Sequence, residues 1–262
     1  MLAQLIRENI EIIQKYIHQG YINIESVIEK IENAEEQNFS EFYDEQGWSF
    51  IIASLYALSG QEGVNLFCKN LTDDDSFKSE KIWFEVLPDS PRKNEGKTHL
   101  DFALGSVQLR PGTLSGIQPS NIKFYDDINK FAFCECKWYS DLSTSVSCDK
   151  HRNQLIRVIE NAFCFAENAG SRAQIYVVLI TPCVFISRKP FSRLFQYKFN
   201  EYFCDKSSIL DEFCQPDKIR YSKFLDCVDL KWTSYEHLIE TAPQNVLLNQ
   251  VKAFAKKFNK TV

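Results

Sequence analysis

Phe131-Ala132-Phe133-Cys134-Glu135-Cys136-Lys137-Trp138 is the stretch whose reading decides the fold of this chain. Its apolar residues have the length and bulk of a half-buried β-strand, yet it carries an acid and a base two positions apart. Residues i and i+2 of a strand project from one face. Glu135 and Lys137 therefore point together, and Cys134, Cys136 and Trp138 occupy the opposite face. Charges rarely enter such a strand unless they are paired or do chemistry. A surface ion pair on an amphipathic strand is the competing explanation, and the density of Phe131, Phe133 and Trp138 stands against it.

Upstream, His99-Leu100-Asp101-Phe102-Ala103-Leu104-Gly105 supplies a second strand pattern with an acid inside it. An acid on one strand and an acid-x-lysine on another can hold Mg²⁺ or Mn²⁺ beside an ammonium group, which suits hydrolysis of a phosphodiester. In that arrangement Asp101 and Glu135 are the metal ligands, with the backbone carbonyl of Cys136 between them. Lys137 orients or deprotonates the attacking water, or neutralises developing charge. His99 is placed to share the face of Asp101.

The flanking patterns set these strands in an α/β fold. Helical spacing of apolar residues covers 2–18, 24–37, 41–58 and 63–71. Ile82 to Leu87 is strand-like, and a polar turn from Pro88 to Lys97 leads into a strand over 99–108. A Pro- and Gly-containing loop spans 110–120. A helix over 151–168 and the apolar strand 174–180 follow, an order that produces a parallel crossover in a mixed sheet. The pattern after Phe191 is further helices and short strands, closing with a helix over 243–257. The expected division is an acidic helical region, 1–80, whose last helices pack on the core, and a core with a C-terminal helical extension, 81–262.

Charge is unevenly spread over the 262 residues. The net value is −5, but residues 1–80 hold 5 Lys and Arg against 15 Asp and Glu, while residues 81–200 hold 16 against 11. The candidate site thus lies in the basic segment. No acid separates Glu167 from Glu201, whereas Arg172, Arg188, Lys189, Arg193 and Lys198 fall there, an expected track for backbone phosphates. The acidic helices are unsuited to nucleic acid and are read as a protein-binding surface or a limit on access to the cleft; a homodimer is the other open assembly.

Nine cysteines, an odd number without a Cys-x-x-Cys, read as small buried hydrophobes in a reducing compartment. No apolar run reaches bilayer length, and the acidic N-terminus lacks the pattern of a secretory signal, so the expected location is cytoplasmic, away from membranes. A Cys148/His151 hydrolase is set aside because nothing supplies an orienting acid or oxyanion hole. A second acid–Glu-x-Lys string, Asp89 with Glu95 and Lys97, is also set aside: it compresses its charges into one turn with no strand to align them.

The hairpin acid, the Glu-x-Lys strand and the helix after it resemble the PD-(D/E)xK nuclease superfamily, which has the restriction-endonuclease-like fold. That core runs helix, three-stranded meander, helix, strand, and the resemblance covers about residues 41–181. It implies a Mg²⁺- or Mn²⁺-dependent deoxyribonuclease in which Asp101 and Glu135 bind metal and Lys137 is catalytic. It also implies a glutamate on the preceding helix, Glu45, with Glu85 on the first strand as its competitor. Gln154 matches the Gln of a Gln-x-x-x-Tyr motif found in RecB-like members, although Val158 stands where Tyr is expected. Leu100 replaces the Pro of the family string. Gln154, Arg157 and Asn161 share one helix face, which could meet a phosphate. The superfamily makes restriction or anti-phage defence the expected setting, and a non-cleaving nucleic-acid- or protein-binding module on the same fold is the alternative.

Overall fold

The structure is a computed structural model that describes residues 1–20, 22–37, 41–88, 99–110, 122–125, 129–142, 152–168, 173–187 and 192–258. In chain order its elements begin with α1 (Leu2–Glu8), α2 (Ile10–Tyr16), β1 (Ile17–Gln19), α3 (Ile24–Glu36), α4 (Glu45–Ala57) and α5 (Gly60–Thr72). Four strands follow: β2 (Ile82–Val86), β3 (Leu100–Gly105), β4 (Val107–Leu109) and β5 (Ile122–Phe124). Next come β6 (Lys130–Cys136), α6 (Gln154–Asn168), β7 (Gln174–Thr181), α7 (Cys183–Ser187), α8 (Leu194–Cys204), α9 (Ser207–Asp211) and α10 (Gln215–Tyr221). The described chain closes with β8 (Val228–Ser234), α11 (Tyr235–Glu240) and α12 (Leu248–Phe258).

Six strands form one mixed sheet in the order β1-β2-β3-β6-β7-β8. β2, β3 and β6 are antiparallel neighbours, whereas β1 runs parallel to β2, and β6, β7 and β8 run parallel to one another. α6 makes the crossover from β6 to β7. β7 is apolar almost throughout because helices cover both its faces.

Strand alternation sorts the side chains into two cores. Phe102, Leu104, Cys134, Cys136, Val178 and Ile180 face the layer made by α1–α5, α11 and α12. Ala103, Phe131, Phe133, Ile175, Val177 and Leu179 face the layer of α6 and α8–α10. The acidic region 1–80 thus supplies most of the cover on one face, and it also donates β1 to the sheet. The 80/81 division expected from composition passes through a single sheet. α4 is buried along its whole length from Gly47 to Ala57, as expected for a helix that is apolar on all sides.

Several boundaries differ from the periodicity. The helix expected over 2–18 breaks at Asn9, whose side chain donates to the Leu5 carbonyl at 2.8 Å and whose backbone leaves helical geometry. Its last residues become β1 because their backbone finds a partner in β2. The strand expected over 99–108 ends at Gly105, which has φ +88°. The helix expected from 151 starts at Gln154, where the Asn153 side chain accepts the Ile156 N–H at 3.0 Å and caps the first turn. The closing helix begins at Leu248, five residues later than its pattern.

Candidate active site

The sheet register brings three acids onto one rung. Phe84 pairs with Phe102 and Val86 with Leu100, so Glu85 and Asp101 stand opposite each other on β2 and β3. Phe102 pairs with Cys134, and the next step along that antiparallel ladder is Asp101 beside Glu135 on β6. The Cys136 N–H donates to Asp101 Oδ2 at 2.6 Å, tying the two strands together at this level.

At the same rung the strands break their alternation. Trp83 and Ala103 belong to the core beneath α6, and Phe84 and Phe102 to the opposite core. Regular alternation would return Val86 and Leu100 to the second of these, yet both lie in the core beneath α6. The reversal coincides with Glu85, which holds φ +51°. A left-handed backbone at a non-glycine residue costs about 1–2 kcal/mol and persists only where its surroundings impose it.

Lys137 lies just beyond β6 but continues its ladder, its N–H donating to the Ile180 carbonyl at 2.8 Å. Its ammonium sits 2.8 Å from Glu135 Oε1 and 3.0 Å from Glu45 Oε1. Glu45 is the first residue of α4, delivered by the cap in which Asp44 Oδ1 accepts the Gly47 N–H at 2.6 Å. Its other oxygen accepts the Trp138 N–H at 3.1 Å and the Ser140 hydroxyl at 2.5 Å. Trp48 of α4 stacks on Trp138 with ring centroids 4.0 Å apart, clamping the start of the helix to the end of β6.

The charges are unbalanced, four carboxylates against one ammonium. Glu135 is 1% exposed, and neither of its oxygens receives a hydrogen bond of sound geometry. Burial raises its pKa, against the opposing charges of Lys137 and Arg157. Burial and then the neighbouring charges of Glu135 and Glu85 lift Asp101 well above the carboxylate range. Glu85 is pushed up to about 7, mainly by burial; a hydrogen bond to Gln46 works against the rise, and repulsion from Glu135, Glu45 and Asp44 adds to it. Burial pulls Lys137 down, but Glu135, Glu45 and Asp101 together overcome it and hold the ammonium above its ordinary pKa. In this arrangement the surrounding acids favour the charged form of Lys137.

This donor set fits a hard divalent cation. A buried carboxylate lacking sound hydrogen bonds and acids crowded enough to retain protons are both relieved by added positive charge. Among the described residues no three His, Cys, Asp or Glu side chains are yet gathered around one metal-sized point. Lys137 is the cation that Glu135 and Glu45 hold instead, and a metal bound to Glu135 would compete with it.

The other candidates divide. Gln154 opens α6 and is half-buried. Arg157 is half-buried, and its charge acts on Glu135. Asn161, the third residue of that face, is buried. Arg193 precedes α8 and lays its guanidinium over the Phe185 ring at 5.6 Å. Lys198 is engaged by Glu201 at 2.9 Å and Glu212 at 2.6 Å, acids from outside the basic window. Arg172, Arg188 and Lys189 lie outside the described residues, as do Asp89, Glu95, Lys97, Cys148 and His151. None of the eight described cysteines is in a disulfide: Cys68, Cys134, Cys136 and Cys164 are buried as expected, but Cys204 and Cys214 are exposed. No described helix is long and apolar enough to cross a membrane. No family model, curated protein or solved structure matches the chain.

Proposed function

We propose that this protein is a metal-dependent nuclease of the PD-(D/E)xK type, acting on DNA. The observation that carries the proposal is the convergence of Asp101, Glu135 and Lys137 from β3 and the end of β6, with Glu45 reaching the same lysine from α4. With α5, β4 and β5 intervening, the order α4, β2-β3-β6, α6, β7 supports the reading by following the helix, meander, helix, strand succession expected of the restriction-endonuclease-like core. Asp101 and Glu135 would hold Mg²⁺ or Mn²⁺, with the Cys136 carbonyl as a third oxygen. The bound ion would supply an activated water and neutralise the transferring phosphate.

The chain's own groups do the rest. Lys137 remains an ammonium and offsets charge on the phosphate as it develops. Glu45 fixes that ammonium through one oxygen, while the Trp138 N–H and the Ser140 hydroxyl fix Glu45 through the other. Arg157 on α6 and Arg193 before α8 would meet the phosphodiester backbone, and such binding weakens with salt. Incubating supercoiled and linear DNA with Mg²⁺ or Mn²⁺ tests the proposal, with EDTA and Lys137→Ala as controls. Cleavage that disappears in both controls supports it; metal-free DNA binding without cleavage would instead support a non-catalytic module on this fold.

A further inference from the structure

We infer that Glu85, and not the helix residue Glu45, supplies the third carboxylate of the cation site, alongside Asp101 and Glu135. The inference rests on the metal-dependent reading above and assigns the two glutamates that the sequence left as competitors. It gives them different tasks: Glu85 holds the ion, and Glu45 brackets Lys137.

Three observations separate them. Glu45 has both oxygens committed, one to Lys137 Nζ and the other to the Trp138 N–H and the Ser140 hydroxyl. Drawing it onto a metal would put the ion in competition with these donors. Glu85 stands on the same rung as Asp101 and next-but-one to Glu135 across adjacent strands, and its carboxyl is within electrostatic reach of Glu135. The backbone is also bent at this residue: φ is +51°, and Val86 and Leu100 are both turned to the face opposite that expected from Phe84 and Phe102.

The bend coincides with a close approach from outside the strand. The Gly20 N–H donates to the Phe84 carbonyl at 2.7 Å, and a Cβ at Gly20 would lie 2.0 Å from the Glu85 carbonyl oxygen. Only glycine lets β1 close on β2 this tightly. The conformation thus costs energy in the strand itself and consumes a second position in its neighbour. What it achieves is a buried acid, 6% exposed, at the level of two others. Repulsion among these groups makes that placement unfavourable for stability alone. Coordination of a hard cation by oxygen ligands explains all three together. Glu135 adds an independent sign: it is buried, and apart from the Lys137 ammonium neither of its oxygens has a hydrogen-bonding partner among the described residues.

Mn²⁺ binding, read by calorimetry or electron paramagnetic resonance without any nucleic acid, tests the assignment. Wild-type protein, Glu85→Gln and Glu45→Gln are titrated, with a thermal melt of each. The expected result is saturable binding by the wild type, weakening of about tenfold or more in Glu85→Gln, and near-wild-type affinity in Glu45→Gln. Binding unchanged in Glu85→Gln, or weakened mainly in Glu45→Gln, overturns the assignment and leaves the nuclease reading standing. A wild type that binds no Mn²⁺ overturns both. Should Glu85→Gln fail to fold, the anomalous Mn²⁺ peak in wild-type crystals decides the matter. A peak in ligand contact with Glu85 supports the assignment, and one in contact with Glu45 alone overturns it.

Discussion

The Lys137 ammonium lies 2.8 Å from the Glu135 carboxylate, and these are alternate residues of one ladder with only 5% and 1% of their side chains exposed. A buried pair of this kind gains little net stability from its own attraction, because both ions have lost their water. Its removal by halves is another matter. Lys137→Met is expected to destabilise the protein by about 3–5 kcal/mol, since Glu135 is left buried without its counter-charge. The double variant Glu135→Gln/Lys137→Met should recover much of that loss. Urea unfolding of the two singles and the double checks this, and additive losses would contradict it.

Stability should fall as pH rises through the range in which Glu85 ionises. Its folded pKa, about 7, exceeds the ordinary 4.5, so the folded state holds a proton that the unfolded state has already released. The associated stabilisation is complete below pH 4.5 and gone above pH 7, with an upper size of about 3 kcal/mol. Asp101, raised in the same direction, adds to the slope. Melting temperatures measured from pH 4.5 to 8 should flatten in Glu85→Gln, and Mg²⁺ should raise the wild-type melting temperature most at the alkaline end.

Gly20→Ala should damage the site from a distance. The added methyl would meet the Glu85 carbonyl, which is backbone and cannot swing aside. β1 must then part from β2, or Glu85 must move. A loss of about 1–3 kcal/mol is expected from overpacking, together with weaker Mn²⁺ binding. Destabilisation with unaltered metal affinity would separate the edge strand from the site.

Arg152 and Glu160 form a second buried ion pair, each 2% exposed, where the chain enters α6. Arg152 also faces the Phe213 ring at 6.0 Å. Arg152→Ala should cost about 3–5 kcal/mol without changing Mn²⁺ affinity, since the pair serves the helix and not the cluster. Denaturation and metal titration of this variant check both halves.

The central strands and the Glu-x-Lys pair were legible in the sequence because alternation and burial are local properties. Asp101 was legible for the same reason, as an acid inside an apolar run. The rung relating it to Glu85 was not, because register depends on partners far along the chain. The left-handed backbone at Glu85 was hidden too, since glutamate carries no local sign of it and the Gly20 contact beside it comes from far along the chain. β1 reads as the end of a helix until β2 is beside it. Lys198 looked like part of a basic track because the acids that engage it, Glu201 and Glu212, begin where the acid-free window ends. Charge counted along the chain says little about which ions meet in space.

The proposed function requires Asp101, Glu135 and Lys137 to cleave DNA with a divalent cation. The most direct measurement is the cleavage rate of a labelled DNA duplex as a function of Mg²⁺ for the wild type and Asp101→Asn, with melts confirming that both are folded. The account predicts a saturable Mg²⁺ dependence in the wild type and a loss of at least about a hundredfold in Asp101→Asn. Cleavage that continues in EDTA, or proceeds equally in Asp101→Asn, would contradict it.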